Sequence, residues 1–207
     1  MYFYEDYTIG IIISIYKNTT ISELDRALKS IDNQKGVKCV VYLGIDGPIN
    51  LSLNKFINDL NFNSSILEIF KIKFETNNGL AKTHNHLFKV AIKNHKYIAK
   101  QDSDDYSSHE RLLKQVKFLE ENPDVHVVGS SMQIFDSNTG IFLYSINHPL
   151  NHKSIERRFC YSACISMATT LIRSNTFSKS GFYPTNTFLA EDVAFCSNAF
   201  LADCKFS

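Results

Sequence analysis

Tyr97-Ile98-Ala99-Lys100-Gln101-Asp102-Ser103-Asp104-Asp105 is the stretch that decides how this chain folds. A strand-like run passes straight into three carboxylates within four positions. Like charges so close repel, and aspartate is a poor strand former. A divalent cation resolves the conflict, because hard oxygen ligands gather around Mg²⁺ or Mn²⁺, whose charge offsets theirs. Such ions take one or two carboxylates, waters and the phosphates of a ligand rather than a cage made of protein alone. An isolated acidic cluster is more often a solvated turn that caps the next helix. At the carboxyl end of a strand in an alternating α/β pattern, where open sheets bind ligands, it reads as a site.

Upstream, Ile9 to Tyr16 is apolar on both faces, as a central parallel strand must be. Thr20-Ile21-Ser22-Glu23 is a capping box, and Leu24, Ala27, Leu28 and Ile31 recur at helical spacing. Val37 to Ile45 reads as a second strand closed by Asp46-Gly47-Pro48, Leu51 to Leu60 as a helix and Ile66 to Phe74 as a third strand. Asn77-Asn78-Gly79 is turn chemistry ahead of a helix with Leu80, Leu87, Phe88 and Ala91 on one face. Beyond the carboxylates, Ser107 or Ser108 is expected to cap a helix that faces inward through Leu112, Leu113, Val116 and Leu119. Strand and helix alternate throughout this half, which predicts an α/β fold with a parallel sheet covered on both faces. Further on, Val125 to Phe135 and Ile141 to Ile146 flank Ser137-Asn138-Thr139-Gly140 as a hairpin. Ile165 to Ile172 reads as a strand and Asp192 to Ala202 as a helix. The expectation is one domain over 1–207, with a nucleotide-binding half at about 9–122 and a mixed half at about 123–207 that completes the site.

Composition narrows the classes. Hydrophobic residues at 44% with 21% charged are enough for a real core, and a net charge of +1 argues against a nucleic-acid partner. Five scattered cysteines without a CxxC pair argue against structural zinc and fit free thiols in a reducing cytoplasm. Met1 to Thr8 carries Glu5 and Asp6 and no basic head, so no secretory leader is expected. The apolar run Ile9 to Ile15 is too short to span a bilayer.

The order of the motifs is more specific than any one of them. Ser14-Ile15-Tyr16-Lys17-Asn18, then Leu28-Lys29-Ser30-Ile31 with Asn33-Gln34, then Gly44-Ile45-Asp46-Gly47-Pro48 come first. Asn78-Gly79-Leu80-Ala81 through Asn85, the Asp102 to Asp105 element, Arg111-Leu112-Leu113-Lys114-Gln115 and Glu191-Asp192 follow. In this order the chain resembles the family 2 glycosyltransferases with their GT-A fold, above all the bacterial enzymes that build surface polysaccharide and lipopolysaccharide. The resemblance implies a nucleotide-diphosphate sugar donor, UDP-linked, and a glycan or lipid-linked acceptor, with Mn²⁺ or Mg²⁺ as cofactor. It implies that Asp46 recognises the base, that Asp102 contacts the ribose or donor sugar, and that Asp104 holds the metal. Ser14, Tyr16, Asn78, Lys82, Asn85 and Ser103 would complete the donor site. Asp192 would be the general base that deprotonates the acceptor, with Glu191 beside it on the acceptor side. A lipid-linked acceptor would bring this cytoplasmic protein to the inner face of the bacterial membrane as a peripheral partner.

Departures from the family pattern bear on the same reading. Ile45 replaces a first acid, His84 and Asn78 stand where arginine is common, and the stretch Cys164 to Thr169 lacks the usual His-Pro entry to the acceptor-side strand. The chain has no tryptophan, hence no basic element ending in Arg-Trp of the processive synthases, which favours single addition. The stop at Ser207 leaves open a missing C-terminal portion and, with it, a rival reading. In that reading the chain is a catalytically silent member that binds the nucleotide sugar or serves as a scaffold.

Overall fold

The computed structural model describes residues 7–61, 66–187 and 189–207; of the opening segment read above as leaderless, residues 1–6 lie outside these. The first half runs β1 (Thr8–Ile15), α1 (Ile21–Asp32), β2 (Lys38–Asp46), α2 (Leu51–Asp59), β3 (Leu67–Phe74), α3 (Leu80–Ala91), β4 (Tyr97–Lys100) and α4 (Arg111–Glu121). Its strands lie in the order β3-β2-β1-β4, all parallel, as the alternation predicts. The two-faced apolar pattern of β1 serves two cores. Ile9, Ile11, Ile13 and Ile15 pack with Leu24, Leu28 and Ile31 of α1, while Ile12 faces Leu87, Phe88 and Ala91 of α3. Close approach of α3 depends on Gly44, where a Cβ would come within 2.9 Å of Thr83 and 3.0 Å of Leu87.

The second half comprises β5 (Val125–Val128), β6 (Met132–Phe135), β7 (Phe142–Ile146), α5 (His152–Phe159), β8 (Leu171–Arg173), α6 (Thr176–Ser180), α7 (Glu191–Leu201) and β9 (Lys205–Phe206). The main sheet continues β4-β8-β5-β9, with β8 antiparallel to both neighbours. Two expectations are corrected here. Val125 to Phe135 is not one strand, because the chain turns out of the sheet at Gly129 and Ser130. There the N–H of Gly129 donates to Ser207 at 2.8 Å and that of Ser130 donates to the Thr169 hydroxyl at 3.0 Å. Only β5 joins the main sheet, while β6 and β7 form a separate ribbon that leaves Phe142, Leu143 and Tyr144 exposed. The strand read at Ile165 to Ile172 shrinks to β8, since a 3-10 turn occupies Met167–Thr169. The hydroxyls of Thr169 and Thr170 donate back to Ser166 and Met167, both at 2.8 Å, and compete with the ladder.

The acidic segment after β4 is fixed by a polar stripe of α1 and the residue just past its end. Arg26 and Ser30 lie four residues apart on one face of α1, and Gln34 follows just beyond its C-cap Asn33. Arg26 donates to the carbonyl of Asp104 at 3.2 Å, and the Ser30 hydroxyl accepts from the N–H of Ser107 at 3.0 Å. Buried Gln34 donates to the carbonyl of Ser108 at 2.8 Å and accepts from the N–H of Leu112 at 3.2 Å. Arg111 closes the loop from below, donating to the Ser107 hydroxyl at 2.8 Å and to the Lys100 carbonyl at 3.3 Å. The serine cap expected for α4 is therefore absent: the helix starts at Arg111 with no side-chain cap, and Ser107 donates its hydroxyl to Gln101.

Phe88 joins the two halves, its ring centroid 4.7 Å from that of Phe177 on α6. Phe88→Ala is expected to cost about 3–5 kcal/mol, read as a lower urea midpoint at unchanged slope. Gln34→Ala strands the N–H of Leu112, while the carbonyl of Ser108 keeps its bond from the N–H of Arg111 at 2.9 Å. It should cost about 1–3 kcal/mol and speed hydrogen exchange at the Leu112 amide, measured by mass spectrometry or NMR.

Candidate active site

The expected donor residues meet at the carboxyl ends of the parallel strands. Asp46 closes β2 and is buried; its Oδ1 accepts from the N–H of Asn78 at 2.7 Å and its Oδ2 from that of Gly79 at 3.0 Å. α3 begins after Gly79, which sits at φ +83 and offers no side-chain cap. Asp46 supplies that cap from outside the helix, an anion at the positive end of its dipole. A carboxylate has about four lone-pair sites, so two backbone bonds leave acceptor capacity for a ligand.

One turn into α3, the Nε2 of buried His84 lies 2.9 Å from the Ser14 hydroxyl at the end of β1. Burial, helped by the charge of Lys100, holds its pKa down to about 3, so the ring is neutral. His84 thus belongs to the inner wall of the site. Lys100, the last residue of β4, is buried with its Nζ 2.9 Å from Oδ1 of Asp102. Burial pushes the Lys100 pKa down, but Asp102, Asp192 and Asp105 outweigh it and hold the ammonium above its ordinary value. Asp192 stands half-buried in the first turn of α7 beside Glu191, and its field on Lys100 ties the two ends of the site together.

Other expected residues take different positions. Asn85 spends its amide on the backbone of Tyr183, donating to the carbonyl at 2.7 Å and accepting from the N–H at 2.9 Å. Tyr16 and Lys82 are exposed, and among the described residues their side chains make no hydrogen bond to the cluster. Ser103 is half-buried, whereas Asp104 is exposed and anchored through its carbonyl by Arg26.

Among the described residues, no three His, Cys, Asp or Glu side chains converge as a metal cage. The acidic loop still suits a hard cation completed by phosphate oxygens. Asp105 is held above the ordinary carboxylate value by desolvation and by the charges of Asp102 and Asp104, a repulsion that a cation there relieves. Sequence reading passed over Lys100, although a lysine closing an otherwise apolar strand just before three acids is itself a signal. It quoted Ser30 and Gln34 without seeing their action, and Tyr183 carried no signal that set it apart from other tyrosines.

Comparisons with known proteins agree with this architecture. A family model described as glycosyl transferase family 2 matches residues 10–181. The amylovoran biosynthesis glycosyltransferase AmsE of Erwinia amylovora is 26% identical over 159 residues, covering 70% of this chain and 58% of that protein. The chain therefore spans less than two thirds of the length of this relative. The crystal structure of S. aureus TarS 1-349 in complex with UDP matches with a TM-score of 0.68 at 20% identity, over 97% of this chain and 57% of that one. The mannosyltransferase PcManGT from Pyrobaculum calidifontis, in complex with GDP-Man and Mn²⁺, matches with a TM-score of 0.68 at 12% identity, over 96% of this chain and 53% of that one. The structural likenesses establish the expected GT-A fold. Because the family match runs from within β1 to the end of α6, the protein belongs to glycosyl transferase family 2.

Proposed function

We propose that this domain moves a sugar, with inversion, from a UDP-linked donor to a hydroxyl of a glycan or lipid-linked acceptor in surface-polysaccharide synthesis. The observation that carries the reading is the ion pair of Asp102 with buried Lys100 at the strand ends, within the fields of Asp192 and Asp105 and one turn of α3 from the loop that Asp46 holds. TarS solved with UDP, PcManGT solved with GDP-Man and Mn²⁺, and the name of AmsE support it by analogy. In this reading, residues of about 9–122 bind the donor and those of about 123–207 face the acceptor. The protein works as a peripheral partner of the inner membrane face; among the described residues no helix is long and apolar enough to cross a membrane.

Asp46 accepts the imide N–H of uracil with the capacity its two backbone bonds leave. Ser14, Asn78, Asp102 and Ser103 line the donor, with Tyr16 and Lys82 at its exposed rim, while Asn85 acts by holding Tyr183. Asp104 would hold Mn²⁺ or Mg²⁺, which when bound offsets the charge that develops on a departing diphosphate. Asp192 takes the proton of the acceptor hydroxyl as that oxygen forms its bond to the anomeric carbon. The bond from that carbon to the diphosphate breaks on the opposite side, so the configuration inverts and no covalent enzyme intermediate forms. The rival reading, a donor-binding member without turnover, draws on one observation: the family match stops at residue 181, before Glu191-Asp192.

Two measurements test the proposal, the first its donor and metal site and the second its turnover. Uridine diphosphate should raise the melting temperature more in Mn²⁺ than in chelator, and Asp104→Asn should abolish the metal-dependent part alone; equal shifts for mutant and parent would remove Asp104 from the metal. Asp192→Asn should slow transfer about 10²–10⁴-fold while nucleotide affinity stays near that of the parent. Asp192 lies inside the first turn of α7 and not at its cap, so the nearly isosteric Asn forfeits about 0.3–1 kcal/mol of dipole stabilisation at most, and full turnover by the mutant would return Asp192 to a structural role.

A further inference from the structure

Tyr183 is held more tightly than a core tyrosine needs to be. It is buried at 2% exposure, and Asn85 clamps its backbone from both sides. Its ring is wedged among Phe88, Phe195 and His84, with centroids 5.6, 5.5 and 6.0 Å away. The hydroxyl ends beside the carboxylate of Asp192. Among the described residues, however, neither the Tyr183 hydroxyl nor the buried Oδ1 of Asp192 has a hydrogen-bond partner. Two orphaned polar atoms, one a donor and one an acceptor, each bear an unrepaid desolvation that a single bond between them removes. A phenylalanine would fill the same space without that cost, so packing alone leaves the hydroxyl unexplained.

We propose that Tyr183 is a positioning residue for Asp192: its hydroxyl donates to Oδ1 and fixes the carboxylate, leaving the second oxygen to receive the acceptor's proton. The inference rests on the reading of Asp192 as general base. Burial, with Asp192 alongside, raises the phenol's pKa well above its ordinary value, so the group keeps its proton and stays a donor. A carboxylate without a hydrogen-bond partner is otherwise free to rotate about its last bond, and a misplaced base loses rate without losing ligand. The clamp also gives Asn85 its purpose, because it sets the height of Tyr183 between α3 and α7.

The test uses Tyr183→Phe, which keeps every ring contact, together with Asp192→Ala and the double variant. If the bond exists, the loss of urea midpoint in the double variant is smaller than the sum of the single losses; additive losses with a neutral or stabilised Tyr183→Phe overturn it. The parent should also show a slowly exchanging tyrosine hydroxyl proton by NMR that disappears in Tyr183→Phe and moves in Asp192→Ala. In function, release of UDP from UDP-N-acetylglucosamine in Mn²⁺, with water as acceptor, should fall about 10–100-fold in Tyr183→Phe at unchanged UDP affinity. It should fall no further when the same change is made in Asp192→Asn. If Asp192→Asn turns over like the parent, the base assignment itself fails and takes the positioning role with it. If Asp192→Asn is inactive while Tyr183→Phe retains parental turnover, the proposal alone falls.

Discussion

The site is organised around one buried positive charge. Lys100 closes a strand that is otherwise wholly apolar, and its side chain is only 3% exposed. An ammonium removed from water is tolerated only with anionic partners close by. Asp102 meets that need directly at 2.9 Å, and the fields of Asp192 and Asp105 add to it. These acids come from two regions far apart in the chain, so the position of Lys100 sets where both must lie. The same cation adds to the burial that keeps His84 neutral at the wall beside Ser14.

Around that charge the loops are fixed by side chains rather than by sheet bonding. Asp46 closes the turn into α3, and the polar stripe of α1 closes the turn out of β4. Both devices satisfy backbone groups that would otherwise be stranded at strand and helix ends. They also fix the acidic groups before any ligand arrives, which lowers the ordering cost of binding. Apart from Asp46, the residues that do this work are different from those expected to touch a ligand, yet they lie in the same motifs. Ser30 lies on the helix that follows the first strand and Gln34 just beyond its C-cap, and Asp46 carries a structural duty along with its proposed recognition of a base.

The first half of the fold was legible because its physics is local. β1 and β2 show as long, mostly buried apolar runs, the edge strand β3 as an alternating one, and the amphipathic helices between them show at their own period. The acidic loop stood out since charges at a strand end contradict the propensities around them. The second half was less legible for equally physical reasons. β8 is three residues long, and its antiparallel pairing with β4 follows from tertiary placement rather than from any pattern. The break between β5 and the ribbon turns on bonds from Gly129 and Ser130 to Ser207 and Thr169, partners remote in sequence. Tyr183 gains its significance only from what the fold puts beside its hydroxyl.

The insertion of β8 between β4 and β5 has a consequence for the order in which the chain can be assembled. β4 is complete at Lys100 and β5 at Val128, but the strand that joins them spans Leu171–Arg173. During synthesis from the N-terminus, the first four strands can pair while β4 still presents an open edge, and β5 has no neighbour at all. A ribosome stalled before Leu171 would thus carry a half-built sheet with a hydrophobic margin exposed, in need of a chaperone's cover. Once β8 docks, both margins close together, and Asp192 emerges from the tunnel into a pocket whose opposite wall has already set.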